Sequence, residues 1–265
     1  MSRISDKFKE LKKQGKKALI TFITAGDPGL SVTEKLVYEL EKSGADIIEL
    51  GIPFSDPLAD GPTIQASHLR ALKTSTVEII KLVSKIRKKS QVPIAFMVSY
   101  NLIMKYGIEK FVKDSVKAGA DGVIVPDLPP EESDILKKAS KANGLDTVFL
   151  VAPTSTKERI KEAGDSSTGF IYLVSLTGIT GERKAVPENV KNLIETLRKQ
   201  VKKPIAVGFG ISKPEHVKDI CKYADGAIVG SAIVRVIEKN LGKKSLVKNV
   251  GRIVQTLAGA AHKKI

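Results

Sequence analysis

The chain has 265 residues, 42% of them apolar and 28% charged, a balance that fits a soluble globular protein with a sizeable core and excludes disordered or fibrous classes. A single cysteine excludes an internal disulfide framework, and no run approaches the ~18 apolar residues of a membrane span. The net charge is +15, yet aromatics make up only 5% and tryptophan is absent, so the stacking residues that single-strand binders need are missing. The lysines, in pairs such as Lys12-Lys13, Lys88-Lys89 and Lys202-Lys203, read as a solvated surface with no nucleic-acid role.

In chain order, Ser5 is the expected cap of a short helix whose Ile4, Phe8 and Leu11 recur at spacings of four and three. The basic stretch to Lys17 and the apolar run Ala18 to Ala25 imitate a signal peptide. Asp6, Glu10 and the turn Gly26-Asp27-Pro28 argue against one, and the expected location is the cytoplasm. Eight short apolar runs then alternate with amphipathic stretches: 18–24, 47–51, 94–98, 123–125, 147–151, 171–174, 205–208 and 227–229. Continuous apolar strands are covered on both faces, as in a parallel sheet flanked by helices. Eight of them predict a (β/α)8 TIM barrel, with the first helix covering the barrel bottom and residues 1–265 forming one domain. The recurring Gly44-Ala45-Asp46, Gly119-Ala120-Asp121 and Ala224-Asp225-Gly226 each lie between a helix and a strand, a repeated turn with no chemistry implied. Cys221 reads as a packing residue in a helix.

Barrel active sites form at the carboxyl ends of the strands. That rule directs attention to Glu49, inside the second strand among apolar neighbours, and to Asp60, eleven residues on in a loop with three prolines. A Glu49 facing the interior is desolvated and its pKa raised, which suits two-way proton transfer, whereas a more polar Asp60 stays ionised. Alternatively, Glu49 pairs with a lysine and Asp60 caps the helix that starts near Pro62. Glycines at Gly178 and Gly181, Gly208 and Gly210, and Gly230 before Ser231 follow strands six, seven and eight, where barrels often bind phosphate through backbone N–H groups and a helix start. Ser212 with Glu215 also fits a plain capping box.

The run from Glu49 to Gln65, together with 22–28, 125–132, 178–181, 208–212 and 230–234, closely resembles the tryptophan synthase α family over essentially the whole chain. The resemblance implies cleavage of indole-3-glycerol phosphate to indole and glyceraldehyde 3-phosphate. It makes Glu49 the general acid/base and Asp60 the acceptor of the indole N–H. Phe22 and Tyr172 are implied walls of the indole pocket, although both also read as core aromatics, and Gly181, Gly210, Gly230 and Ser231 match a phosphate cradle. Thr180, between Gly178 and Gly181 in the long loop 176–187, is the expected hydrogen-bond donor to Asp60 on loop closure. The implied partner is the β subunit, in an αββα heterotetramer, with Asp56, Pro57 and Asn101 in contact segments. Pyridoxal phosphate belongs to that partner, and this chain is expected to carry no cofactor or metal. The sequence departs from the family at Ser99-Tyr100-Asn101, where many relatives have two tyrosines, and at Leu176, where some have arginine. The nearest alternative is another phosphate-binding barrel; a non-catalytic barrel is a more distant one.

Overall fold

A computed structural model describes residues 2–57, 60–174, 188–208 and 210–263. Helices and strands alternate: α1 Arg3–Lys13, β1 Ala18–Thr24, α2 Leu30–Lys42, β2 Ile47–Gly51, α3 Pro62–Ala71, α4 Thr76–Ile86, β3 Ile94–Met97, α5 Tyr100–Tyr106, α6 Ile108–Ala118 and β4 Gly122–Ile124. The second half holds α7 Asp134–Asn143, β5 Asp146–Val148, β6 Leu150–Val151, α8 Lys157–Ser166, β7 Ile171–Val174, α9 Glu188–Gln200, β8 Ile205–Gly208, α10 Pro214–Ile220, β9 Gly226–Val229, α11 Ser231–Lys239 and α12 Leu246–Ala261. All strand pairs are parallel, in the order β5-β4-β3-β2-β1-β9-β8-β7-β6. No helix of the described residues is long and apolar enough to cross a membrane.

The run expected as one strand over 147–151 is split at Phe149. Its N–H donates to Ser167 Oγ at 3.1 Å, and its carbonyl accepts from Tyr172 N–H at 3.1 Å. The first half therefore pairs with β4 and the second with β7, which closes the ring. Nine short strands thus make the eight-fold barrel that the alternation predicts.

Side chains two apart along a strand share a face. Ile20, Ile47, Ala95, Ile124, Val148, Ala206 and Ile228 fill the barrel interior, and Ile4, Phe8 and Leu11 of α1 pack into the same cluster from below. Phe8 meets Phe170 with ring centroids 5.8 Å apart. The helix covers the bottom as expected, but its cap is Ser2, whose hydroxyl accepts from Ser5 N–H at 3.2 Å. Ser5 lies one turn too late, because the chain turns helical as soon as an acceptor is available for the first free N–H groups.

The glycine-alanine-aspartate repeat has a structural cause. Asp46, Asp121 and Asp225 each accept a hydrogen bond from the N–H of a neighbouring strand, from Leu19, Ile94 and Ile205 at 2.8, 2.8 and 2.9 Å. Each aspartate also donates its own N–H back to the carbonyl of that residue. From outside, each carboxylate meets a side-chain nitrogen, of His262 at 2.8 Å, Arg87 at 2.6 Å and Arg198 at 2.6 Å. Gly44 and Gly119, at φ +98° and +94°, make the left-handed turns ahead of two of these clamps.

Candidate active site

Glu49 sits mid-strand in β2, in register with Phe22 on β1 and Ala95 on β3. It is two residues from the inward Ile47, so its side chain enters the barrel from the same face. It is fully buried, and neither carboxylate oxygen has a hydrogen-bond partner among the described residues. The lysine pairing weighed above is not found there. Burial alone pushes the carboxyl up to about 8.

Asp60 lies between β2 and α3. Its N–H donates to Pro57 O at 3.0 Å, and its carbonyl accepts from Gln65 Nε2 at 2.9 Å. The cap of α3 is Gly61, with no side-chain cap bond, so the Asp60 carboxylate is not spent on the helix end. Its setting is less polar than the sequence suggested: burial raises the group to about 6. At neutral pH the pair therefore divides, with Glu49 mostly protonated and Asp60 mostly ionised.

Aromatic walls stand beside these acids because glycines make room for them. A Cβ at Gly51 would lie 2.7 Å from the Phe22 ring, and one at Gly208 would lie 2.8 Å from the Tyr172 ring. Phe22 packs with Ile64, Val234 and Met97. Tyr172 is buried, and burial together with the Glu49 and Asp60 charges holds its phenol well above the usual range, neutral. The inward neighbours in register, Ala95 beside Glu49 and Ala206 beside Tyr172, are small.

Residues 8–262 match the family described as tryptophan synthase alpha chain. A tryptophan synthase alpha chain of Citrifermentans bemidjiense is 51% identical over 97% of this chain and 97% of its own length. The chain belongs to the tryptophan synthase alpha chain family. The reaction of that family is the lyase cleavage of indole-3-glycerol phosphate in tryptophan biosynthesis. The solved alpha subunit from Legionella pneumophila str. Paris superposes with a TM-score of 0.91 at 38% identity, covering 98% of each chain. A Pyrococcus furiosus structure described as the tryptophan synthase a2b2 complex superposes at 0.87 with 40% identity, over 92% of this chain and 99% of that one.

The remaining family positions divide. Gly230 caps α11, which opens at the carboxyl end of β9, the same barrel end as Asp60, and Ser231 is the first helical residue. Gly230 also has a packing reason, since a Cβ there would sit 3.3 Å from Phe22 Cβ. Gly210 has φ +61°, a left-handed conformation that favours glycine. The Ser212–Glu215 capping box does not form: Lys213 caps α10 without a side-chain bond, and Ser212 N–H donates to His216 Nδ1 at 3.4 Å. Thr180, Gly181, Gly178 and Leu176 lie outside the described residues.

Asp56, Pro57 and Asn101 line one cavity of about 300 Å³ together with Asp60, His68 and Asp127. Asp127 ties its two sides, accepting from Ser99 Oγ at 2.6 Å and Tyr100 N–H at 2.9 Å. Sequence reasoning passed over His68, although it falls on the buried stripe of α3 with Ile64 and Ala71. That stripe position, directly behind the Asp60 loop, was the available sign.

Proposed function

We propose that this chain cleaves indole-3-glycerol phosphate to indole and glyceraldehyde 3-phosphate by a retro-aldol step run by Glu49 and Asp60. The reading is carried by Glu49: a wholly buried carboxyl with no partner among the described residues, set beside aromatic walls at the mouth of a barrel. Protonated at neutral pH, it delivers its proton to C3 of the indole ring. Asp60, ionised, accepts the indole N–H and stabilises the positive ring nitrogen that forms. The Glu49 carboxylate then takes the proton of the hydroxyl on the attached glycerol carbon. The C–C bond breaks, its electron pair returns to the ring, and the hydroxyl carbon becomes the aldehyde.

Phe22 and Tyr172 hold the ring, while Gly210, Gly230, Ser231 and the backbone near Gly181 receive the phosphate. Residues 1–265 act as one domain in the cytoplasm. A pyridoxal-phosphate β subunit takes up the indole in an αββα assembly, docking over Asp56, Pro57 and Asn101. Glu49→Gln and Asp60→Asn should each lower indole release by roughly two to four orders of magnitude with the fold intact. Folded Glu49→Gln protein with near-normal turnover would overturn the mechanism.

A further inference from the structure

His68 has no part in the chemistry above, yet it is built into the site. It is 6% exposed, and its Nδ1 accepts the Phe54 N–H at 3.0 Å. In a neutral ring that bond places the proton on Nε2. Nε2 is buried without a hydrogen-bond partner among the described residues and lies 3.7 Å from Asp60 Oδ2, just outside hydrogen-bond reach. The Asp60 carboxylate has no other side-chain donor among those residues. The other charged groups near His68 are Asp27, which Arg70 engages at 2.9 and 2.8 Å, and Asp56 and Asp127 along the shared cavity. Burial holds the ring neutral, with its pKa lowered to about 4.

We propose that His68 is a positioning residue for this reaction: its Nε2–H closes onto one Asp60 oxygen as the indole N–H engages the carboxylate, fixing its rotation and keeping it charged. The inference rests on the role given to Asp60. A buried donor with its tautomer already set by Phe54 needs only a small shift of the Asp60 loop to make the bond. The Phe54 contact also ties that loop to α3, so loop anchoring and donation must be separated.

Two variants separate them. In His68→Gln the amide nitrogen stands near the imidazole Nε2 and keeps a donor toward Asp60, at the expense of the Phe54 contact. In His68→Asn the side-chain oxygen keeps the Phe54 N–H, but the amide no longer reaches Asp60. Indole release from indole-3-glycerol phosphate is measured against pH with the full chain, with and without a β subunit, and Asp60→Asn is run alongside. We expect His68→Asn to lose roughly tenfold or more in kcat with little change in KM, and its acidic limb of kcat, which reports the substrate-bound enzyme, to move to higher pH. His68→Gln should keep both near wild type. The acidic limb reports on folded molecules only, so it decides the matter even where one variant melts earlier. A His68→Asn limb at the wild-type position, or His68→Gln impaired as much as His68→Asn, overturns the inference. Full activity in Asp60→Asn would instead overturn the reading of Asp60.

Discussion

The Glu49 and Asp60 carboxyls have been driven apart by unequal burial, to about 8 for Glu49 and about 6 for Asp60. The proposed mechanism needs the first protonated and the second ionised in the free enzyme. Acidification through about 6 removes the Asp60 charge, and alkalinisation through about 8 removes the Glu49 proton. The expected kcat/KM profile for indole release is therefore a bell with those two limbs. A profile flat between pH 5 and 9 would contradict the assignment. His68, neutral across this range, should add no limb of its own. Glu49 and Asp60 were readable as candidates because a glutamate in an apolar strand is out of place and Asp60 lies in the loop at that strand's carboxyl end, where barrel sites form. Which of them is spent on a structural partner was not readable, since that depends on which lysine or helix end lies near in space.

Among the elements, three strand starts are held by aspartate clamps. Asp121 is the most enclosed of them: it accepts from Ile94 N–H at 2.8 Å and pairs with Arg87 at 2.6 Å and Arg3 at 2.8 Å. Arg87 is itself largely buried, its other N–H groups donating to Gly119 O and Val92 O at 2.6 Å each. Asp121→Ala leaves that guanidinium uncompensated and frees a strand N–H, so it should cost about 3–5 kcal/mol of stability by denaturant unfolding. Turnover of the remaining folded protein should be unaffected, because the clamp lies at the amino end of the strands. The sequence shows the repeat as spacing; its partners come from other helices and appear only once the barrel closes. The split at Phe149 is of the same kind, a switch of hydrogen-bond partner that five consecutive strand-compatible residues cannot announce.

For the whole molecule, one cavity joins the rim residues Asp56, Pro57 and Asn101 to Asp60 and His68. On the proposed function, a partner seated on that rim would press on the loop that carries Asp60. The isolated chain is expected to be a poor catalyst that a β subunit activates by favouring the closed arrangement and excluding water. Thr180→Val should respond less than wild type, since Thr180 is the expected donor to Asp60 on closure. Turnover compared with and without β subunit tests this: unchanged wild-type turnover, or full activation of Thr180→Val, would refute it. The charge surplus lies partly elsewhere. Lys9, Lys12, Lys16, Lys17, Lys202 and Lys203 line a cavity of about 580 Å³ beside α1, at the barrel bottom. The lysines are thus less evenly spread than their sequence positions suggest.

The sequence by itself determined the barrel class and the near-exact limits of β1, β2, β7 and β8, and it singled out Glu49 and Asp60 as candidates, because hydrophobic period and residue type are local properties. Tertiary structure decided the rest. It left Glu49 without a partner among the described residues and raised Asp60 further than a polar loop would, it gave Phe22 and Tyr172 their space through Gly51 and Gly208, and it set His68 beside Asp60. Burial and proximity are sums over neighbours distant in the chain, and only closure of the barrel brings those neighbours together.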